Sequence, residues 1–308
     1  MNNKLKYIIG IIIFICIVLF GGIEFFDEEF YIEENIEESS ALINTNEILK
    51  EDLKIYFIDV GQADSILLEQ NGKFMLIDAG NNDDGELVVN YLKEKGVKKL
   101  DYIIATHAHE GHIGGMDTVI NNFDQEKIMF PKVTSTTKTF EDFVIAVKGK
   151  NKKLYTPKSG EKFIFADSTF EVFAPNSDNY EDGNNYSIVI KLTYKEKSFL
   201  FTGDAEKISE NEILTKGYNL KSDLIKIGHH GSSSSTSDKF LKSVNPDYAV
   251  ICVGKDNSYN HPNKSVMDRL KKYGIKVYRT DEQGHITVIS DGKNIMFDKS
   301  PASYNYIK

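Results

Sequence analysis

The chain has 308 residues, 41% of them hydrophobic, which is enough for a substantial core. The formal net charge is −9, but residues 1–54 hold four lysines and eleven acidic residues, so the remainder is nearly neutral and shows no broad basic footprint for nucleic acid. With two cysteines, Cys16 and Cys252, a disulfide framework is excluded and a cysteine-based metal site is disfavoured.

An uncharged apolar segment, YIIGIIIFICIVLFGGI, occupies residues 7–23 and follows Lys4 and Lys6. It is just long enough to span a bilayer. Basic residues before it and acidic residues after it favour an orientation that leaves the rest of the chain outside the cytoplasm. We therefore predict a single-pass membrane anchor at residues 1–23. The alternatives are a cleaved signal peptide, which would give a secreted protein, and a buried core helix.

The next segment, residues 24–52, is acidic and has neither helical nor strand periodicity. Such composition is typical of an extended, self-repelling linker. We predict one folded domain over residues 53–300 and a short C-terminal tail at 301–308.

The folded part alternates short apolar runs with amphipathic segments, which predicts strands and helices. The predicted strands are KIYFIDV, SILLEQ, KFMLIDAG, LDYIIA, TFEVFAP, YSIVIKLTY, KSFLFTGD, DLIKIG, DYAVICVG, KVYRT, HITVIS and NIMFD. The predicted helices are GELVVNYLKEKG, IGGMDTVINNF and NKSVMDRLKKYG. Hairpins mixed with crossover helices predict an α/β fold, with two sheets packed face to face and helices outside.

Five polar residues directly follow apolar runs: Asp59, Asp78, His107, Asp204 and His229. An aspartate after a strand is usually a turn or helix cap when it occurs alone. A rigid scaffold, however, presents its functional side chains where strands open into loops. Five such residues in the same kind of position therefore indicate a functional site.

Three histidines lie within six positions of the segment ATHAHEGHIGG, at His107, His109 and His112. Neutral imidazole is a common ligand of zinc, iron and manganese, and a catalytic ion keeps one position open for water. Because the chain has only seven histidines, this clustering predicts a divalent-metal site.

The sequence H-A-H-E-G-H followed by I-G-G resembles the H-x-H-x-D-H signature of the metallo-β-lactamase fold hydrolases. FTGDAE and IKIGHHGS resemble that family's later metal-binding segments. FIDVGQADSILLE and NSYNHPN…YRTDEQGHITV are similar to the metallohydrolase domain of ComEC-type competence proteins. The resemblance runs from about Leu53 to Phe297 and implies a four-layer αββα sandwich.

The resemblance implies a two-ion ligand set. His107 and His109 would hold the first ion, Asp204 would bridge, and His112 with either His229 or His230 would hold the second.

Other positions are given roles around this set. Asp204, Asp64 and His261 would act in catalysis, with His261 contacting substrate or donating a proton. Asp59 and Asp78 would orient ligands, although turn chemistry is the alternative for Asp59 and Asp64, and helix entry is the alternative for His261. His285 begins a strand in a polar context and is not expected to be catalytic.

The sequence departs from the family pattern at three places. Gly111 replaces the aspartate of the signature, with Glu110 beside it; the segment DGNNYS lacks the histidine found there in many metallo-β-lactamases; and Ala63 replaces a glycine. Glycine has no side chain with which to bind a metal. We therefore expect one tightly held ion, zinc or alternatively manganese, and a second that is weak or absent.

Taken together, these patterns predict a membrane-tethered, extracytoplasmic hydrolase that uses metal-activated water. The resemblance to ComEC-type metallohydrolase domains implies a phosphodiester substrate, in DNA or in a wall polymer, and hence a phosphodiesterase or nuclease. Two alternatives remain: a hydrolase of surface-polymer phosphoesters such as choline-bearing teichoic acids, and a metal-poor binding module without turnover.

Overall fold

The computed structural model describes residues 48–306. The predicted anchor at residues 1–23 and most of the acidic linker lie outside the described residues. Within the described range, every helix is too short or too polar to cross a membrane.

Two sheets form the centre of the fold. The first contains β1 (Leu53–Phe57), β2 (Ile66–Gln70), β3 (Lys73–Ile77), β4 (Lys99–Ile104), β5 (Asp124–Met129), β6 (Leu154–Tyr155), β14 (Ile286–Ser290) and β15 (Ile295–Phe297). The second contains β7 (Lys162–Phe165), β8 (Ser168–Ala174), β9 (Val189–Tyr194), β10 (Lys197–Phe201), β11 (Leu224–Lys226), β12 (Tyr248–Ile251) and β13 (Lys276–Arg279). Their orders are β15-β14-β1-β2-β3-β4-β5-β6 and β13-β12-β11-β10-β9-β8-β7.

Eight α-helices connect these strands. They are α1 (Gly85–Glu94), α2 (Glu110–Ile113), α3 (Met116–Asn122), α4 (Lys138–Gly149), α5 (Lys207–Thr215), α6 (Asp238–Val244), α7 (Lys264–Lys272) and α8 (Thr280–Gln283), as counted within residues 48–306.

The strands alternate between two apolar environments, which explains the layering. In β1, Leu53, Ile55 and Phe57 pack between the two sheets, whereas Tyr56 packs with α1, α3 and α4 on the outer face. On the second sheet, Leu200 and Ile225 pack outward against α5, α6 and α7. Side chains of a strand point alternately to its two faces, so each sheet is covered on both sides. The predicted αββα sandwich is confirmed for the described residues.

The predicted helix IGGMDTVINNF is instead two short helices, α2 and α3, separated by Gly114 and Gly115. A Cβ at Gly114 would lie 2.2 Å from the carbonyl carbon of Asn81, and one at Gly115 would lie 2.4 Å from the oxygen of Ala79. The two glycines therefore let the chain approach the loop after β3 closely, which breaks the helix and places His112 in the first half.

Two parallel sets of strands bring the functional segments together. Strands β3, β4 and β5 run parallel in the first sheet, and β10 to β13 run parallel in the second. Ligands of open α/β sheets bind at the carboxyl ends of such strands. The segments after β3, β4, β10, β11 and β12 all meet at this edge, around a cavity of about 340 Å³.

Candidate metal centre

Strand β4 and helix α2 supply three imidazoles to this cavity edge. His107 and His112 are buried, with ring centroids 4.1 Å apart. His109 is exposed, and its Nδ1 lies 3.1 Å from Nε2 of His107. The three histidines that were predicted from their spacing therefore lie close together, with His109 at the exposed rim of the cavity.

Asp204 stands at the centre of the site. Its backbone N–H donates to Oγ of Ser187 (3.0 Å), which fixes the turn after β10. Its Oδ2 faces the Nε2 atoms of four imidazoles, at 3.2 Å (His112), 3.5 Å (His230), 3.7 Å (His229) and 4.0 Å (His107). Its Oδ1 is buried without a hydrogen-bond partner among the described residues.

His229 and His230 enter the site through a tight turn after β11. Both have a left-handed backbone, with φ of 50° and 53°. This conformation costs on the order of 1–3 kcal/mol for a residue other than glycine and clusters at functional sites. It brings two consecutive imidazoles within 3.7 Å of Asp204. The sequence left open which of them is a ligand, and the geometry makes both available.

The hydrogen bonds of the buried imidazoles test whether a cation fits here. Nδ1 of His230 donates to the carbonyl oxygen of Cys252 (2.9 Å), because a carbonyl can only accept. Nδ1 of His112 donates to Oδ2 of Asp78 (2.7 Å). With Nδ1 donating, Nε2 of each ring faces the carboxylate of Asp204, an arrangement that a divalent cation between them would stabilise.

Two groups of convergent donor atoms share Asp204. One is His107, His112 and Asp204; the other is Asp64, Asp204 and His230. Within each group the ligand atoms lie within 4.8 Å of one another. Catalytic zinc is typically bound by three protein ligands, drawn from imidazole and carboxylate groups among others. The residues present fit a divalent metal.

The electrostatics of the site act differently on its two buried histidines, His107 and His112. Burial, together with the neighbouring His112, lowers the pKa of His107 well below its usual value, so this ring is neutral at pH 7. Burial alone would raise the pKa of Asp204, but the surrounding imidazoles, His112 foremost, hold it well below its usual value. Burial likewise opposes charge on His112, but Asp204 and Asp78 raise its pKa well above the usual value. In the absence of a cation, a proton on His112 therefore takes over part of the charge compensation.

Sequence comparison places this site in a family. The model of the metallo-beta-lactamase superfamily matches residues 58–255 of the chain, which include every group described above. The chain belongs to the metallo-beta-lactamase superfamily. Competence proteins are among its relatives, so the predicted likeness to ComEC-type metallohydrolase domains is confirmed.

Two curated relatives are similar over most of the folded part. "ComE operon protein 3" of Bacillus subtilis is 32% identical over 76% of this chain and 32% of its own length. "Recombination protein 2" of Haemophilus influenzae is 30% identical over 75% of this chain and 28% of its own length. The chain thus spans about a third or less of the curated relatives it matches.

Among solved structures, the metallo-beta-lactamase fold protein YhfI from Bacillus subtilis aligns with a TM-score of 0.52 and 12% identity. It covers 74% of this chain and 95% of its own. At that identity the likeness concerns the fold alone.

Asp78 and Asp59 both follow a strand of this fold, but only Asp78 contacts a candidate ligand. Asp78 accepts hydrogen bonds from the N–H and Oγ1 of Thr106 (2.8 and 2.7 Å) and from His112. Asp59 accepts only from the N–H of Gly61 (3.1 Å) and belongs to a turn, while its own N–H donates to Nδ1 of His285 (2.8 Å).

We expect Asp78→Asn to weaken metal binding by roughly 10- to 100-fold, as the loss of a ligand-orienting acceptor does in other metal sites. Asp59→Asn is the matched control and should leave affinity unchanged. Competition with a chromogenic chelator measures both. Equal affinities for the two variants would show that Asp78 does not orient His112.

Asp64 is paired with a buried lysine that the sequence analysis overlooked. Nζ of Lys226 is fully buried and donates to Oδ2 of Asp64 (2.8 Å) and to the carbonyl oxygen of Ile227 (2.9 Å). Burial opposes both charges, but Asp64 raises the pKa of Lys226, and Lys226 lowers that of Asp64 to about 2. Asp64 also lies 3.4 Å from Nδ1 of His230, on the side of that ring away from Asp204. The charged pair of Lys226 and Asp64 therefore lies next to the His230 ring, on its Nδ1 side.

Removing one partner of this pair should be costly. We expect Lys226→Met to lower the free energy of unfolding by roughly 3–5 kcal/mol, because the Asp64 carboxylate would stay buried without compensation. The double variant Lys226→Met, Asp64→Leu should recover part of that loss. Urea unfolding of the purified full chain, followed by circular dichroism, measures both. An unchanged midpoint for Lys226→Met would contradict a charged pair.

His261 lies on the loop after β12 and lines the cavity. The amide of Gln62 is oriented by the N–H of Gly254, which donates to its Oε1 (3.0 Å), so its Nε2 donates to Nδ1 of His261 (3.3 Å). Burial and the nearby His229 lower the pKa of His261 to about 4. The ring is therefore neutral at pH 7 and carries its proton on Nε2, as a hydrogen-bond donor at the cavity.

The positions that depart from the family pattern also lie at this cavity. Gly111 and Glu110 line it, and Glu110 is exposed. Gly111 lies in α2, and a Cβ there would make only ordinary contacts of 3.5–3.6 Å. A side chain at position 111 is therefore sterically tolerated.

The segment DGNNYS passes directly beside His109. A Cβ at Gly183 would lie 2.7 Å from Nε2 of His109. Asn184 lines the cavity, while the buried Asn185 bonds to Glu206 and Ser209. Glycine and asparagine thus occupy the wall where many family members place a histidine.

Proposed function

We propose that the protein is a metal-dependent phosphodiesterase or nuclease, tethered to the membrane with its hydrolase domain outside the cytoplasm. The observation that carries the proposal is the Asp204 carboxylate, whose Oδ2 is surrounded by four imidazoles and whose Oδ1 is unpartnered among the described residues. The printed names of the relatives, a competence protein and a recombination protein, support a nucleic-acid substrate.

The roles of the residues follow from their contacts. His107, His112, His230 and Asp204 would hold a divalent ion, with His229 and His109 beside them. A bound divalent ion would acidify water and offset negative charge on the phosphoryl oxygens. Asp78 and the carbonyl oxygen of Cys252 orient the rings of His112 and His230, and Asp64 lies beside the latter. The Nε2–H of His261 can donate to a phosphoryl or leaving-group oxygen at the cavity.

Hydrolysis of bis(4-nitrophenyl) phosphate by the detergent-solubilised full chain tests the proposal. We expect turnover with zinc or manganese, its loss on chelation and its return when metal is added back. Hydrolysis confined to wall-polymer phosphoesters would favour the surface-polymer hydrolase. Failure to hydrolyse any phosphoester, with metal bound, would favour the binding module.

The proposal of a membrane anchor with this orientation is based on the apolar segment at residues 7–23 and the charges on either side of it. We expect protease added to intact cells to remove the folded domain from the membrane fraction. Full protection of the domain, in cells whose envelope admits the protease, would contradict this orientation. Release of the intact domain into the medium without protease would instead indicate cleavage of the N-terminal segment.

A further inference from the structure

An exposed aromatic ring stands at the mouth of the metal centre. Tyr259 is 67% exposed and lines the same cavity as Asp204 and His230. It is the one tyrosine or phenylalanine among the cavity-lining residues within 48–306. Isolated exposed apolar residues are common on protein surfaces. A role for the Tyr259 ring therefore depends on the structure of its loop and on the groups next to it.

The loop that carries Tyr259 is held by the side chain of Asn257. Oδ1 of Asn257 accepts from the N–H groups of Tyr259 and His261 (3.1 Å each). Its Nδ2 donates to the carbonyl oxygens of Gly254 (2.9 Å) and His261 (2.6 Å). One amide thus uses both its ends to tie the loop together. The backbone that carries the ring is therefore preorganised, so binding at the ring orders little additional chain.

The same loop links the ring to the metal centre. The ring centroid of Tyr259 lies 5.8 Å from that of His261, with an interplanar angle of 27°. His261 in turn lies 5.6 Å from His229. Two successive ring contacts therefore separate Tyr259 from an imidazole beside Asp204. Tyr259 and the imidazoles around Asp204 thus line one continuous cavity.

We propose that Tyr259 is a stacking platform for an unpaired nucleobase next to the scissile phosphodiester. This inference rests on the proposed phosphodiesterase function and narrows its substrate to single-stranded nucleic acid. An aromatic side chain stacks on any base, since every base has a π-face, whereas glycerol or ribitol phosphate offers none. A quaternary ammonium such as choline is bound by a cage of several aromatic rings, and the described cavity offers one.

Equilibrium binding to the zinc-loaded full chain tests the platform, with phosphorothioate linkages in the strands to prevent turnover. Fluorescence anisotropy compares a labelled thymidylate strand with an abasic strand of equal length. We expect Tyr259→Leu, which keeps apolar bulk but loses the π-face, to weaken thymidylate binding roughly 5- to 150-fold, as removal of a base-stacking ring does. Abasic binding should be unchanged. Tyr259→Phe, which keeps the ring, should match the parent protein.

Equal binding of thymidylate and abasic strands by the parent, or an equal loss of both in Tyr259→Leu, would overturn the platform. Competition by poly(glycerol phosphate) or phosphocholine that depends on Tyr259 would also overturn it, in favour of a surface-polymer ligand. Hydrolysis of bis(4-nitrophenyl) phosphate is measured separately. Its absence would contradict the phosphodiesterase proposal, whereas base-dependent binding is read without turnover, so the two failures are distinguishable.

Discussion

Replacing both His107 and His109 with alanine should lower phosphodiester turnover by roughly 10³-fold or more. A bound ion contributes several kcal/mol of charge stabilisation in the transition state, and each 1.36 kcal/mol corresponds to a factor of ten. His107 belongs to one of the groups of convergent donor atoms, with His112 and Asp204, and His109 contacts it directly. Initial rates on bis(4-nitrophenyl) phosphate at saturating metal measure the effect.

His285→Ala is the matched control for this double variant. His285 packs on Tyr91, with ring centroids 4.9 Å apart, and lies outside the cavity lining. We expect it to keep parental turnover and metal content. A double variant that hydrolyses the reporter as fast as the parent, while His285→Ala does likewise, would show that catalysis does not use the predicted ligands.

Gly111→Asp should increase occupancy of a second metal position. Glycine occupies position 111, where the family pattern has an aspartate, so we expect the second ion to lack a ligand and a negative charge in this chain. A carboxylate at position 111 would supply both. The backbone there is helical, and a Cβ meets only Gln62, Ala63 and Asn81 at ordinary distances, so the change should not disturb the fold.

Metal analysis after dialysis compares Gly111→Asp with Gly111→Asn, which adds similar bulk without the charge. We expect one tightly bound ion in the parent and in Gly111→Asn, and a larger bound fraction of a second ion in Gly111→Asp. Two tightly bound ions in the parent would contradict the weak second position. An unchanged stoichiometry in Gly111→Asp would show that position 111 does not reach the metal.

The layered fold was largely readable from the sequence because strand and helix periodicities are local signals. The continuous apolar run from Ile55 to Ile58 is visible in the sequence and predicts a strand buried on both faces, as β1 is. The break between α2 and α3 was not predictable, because Gly114 and Gly115 are required by backbone approach to Asn81 and Ala79, residues more than thirty positions earlier.

In the candidate metal centre, too, residues in local sequence patterns were predictable, whereas contacts between distant residues were not. Clustered histidines and an aspartate after a strand pointed to His107, His112 and Asp204. The pairing of Lys226 with Asp64 was missed because the two residues are far apart in sequence. A lysine near the end of a strand is usually exposed, so IKIG gave little reason to expect a buried ion pair. A lysine inside an otherwise apolar run was the available signal. Similarly, the difference between Asp78 and Asp59 depends on which carboxylate His112 faces, and both residues follow a strand in the same way.

The metal content of the full chain, loaded with zinc and then dialysed, shows whether Asp204 and the imidazoles around it hold a divalent ion. Asp204 belongs to both groups of donor atoms described above, one with His107 and His112 and one with Asp64 and His230. Asp204→Asn is therefore the variant to compare. We expect about one zinc per chain in the parent and loss of that zinc in the variant, with circular dichroism unchanged. A parent that retains no metal, or an Asp204→Asn variant that retains as much as the parent, would contradict it.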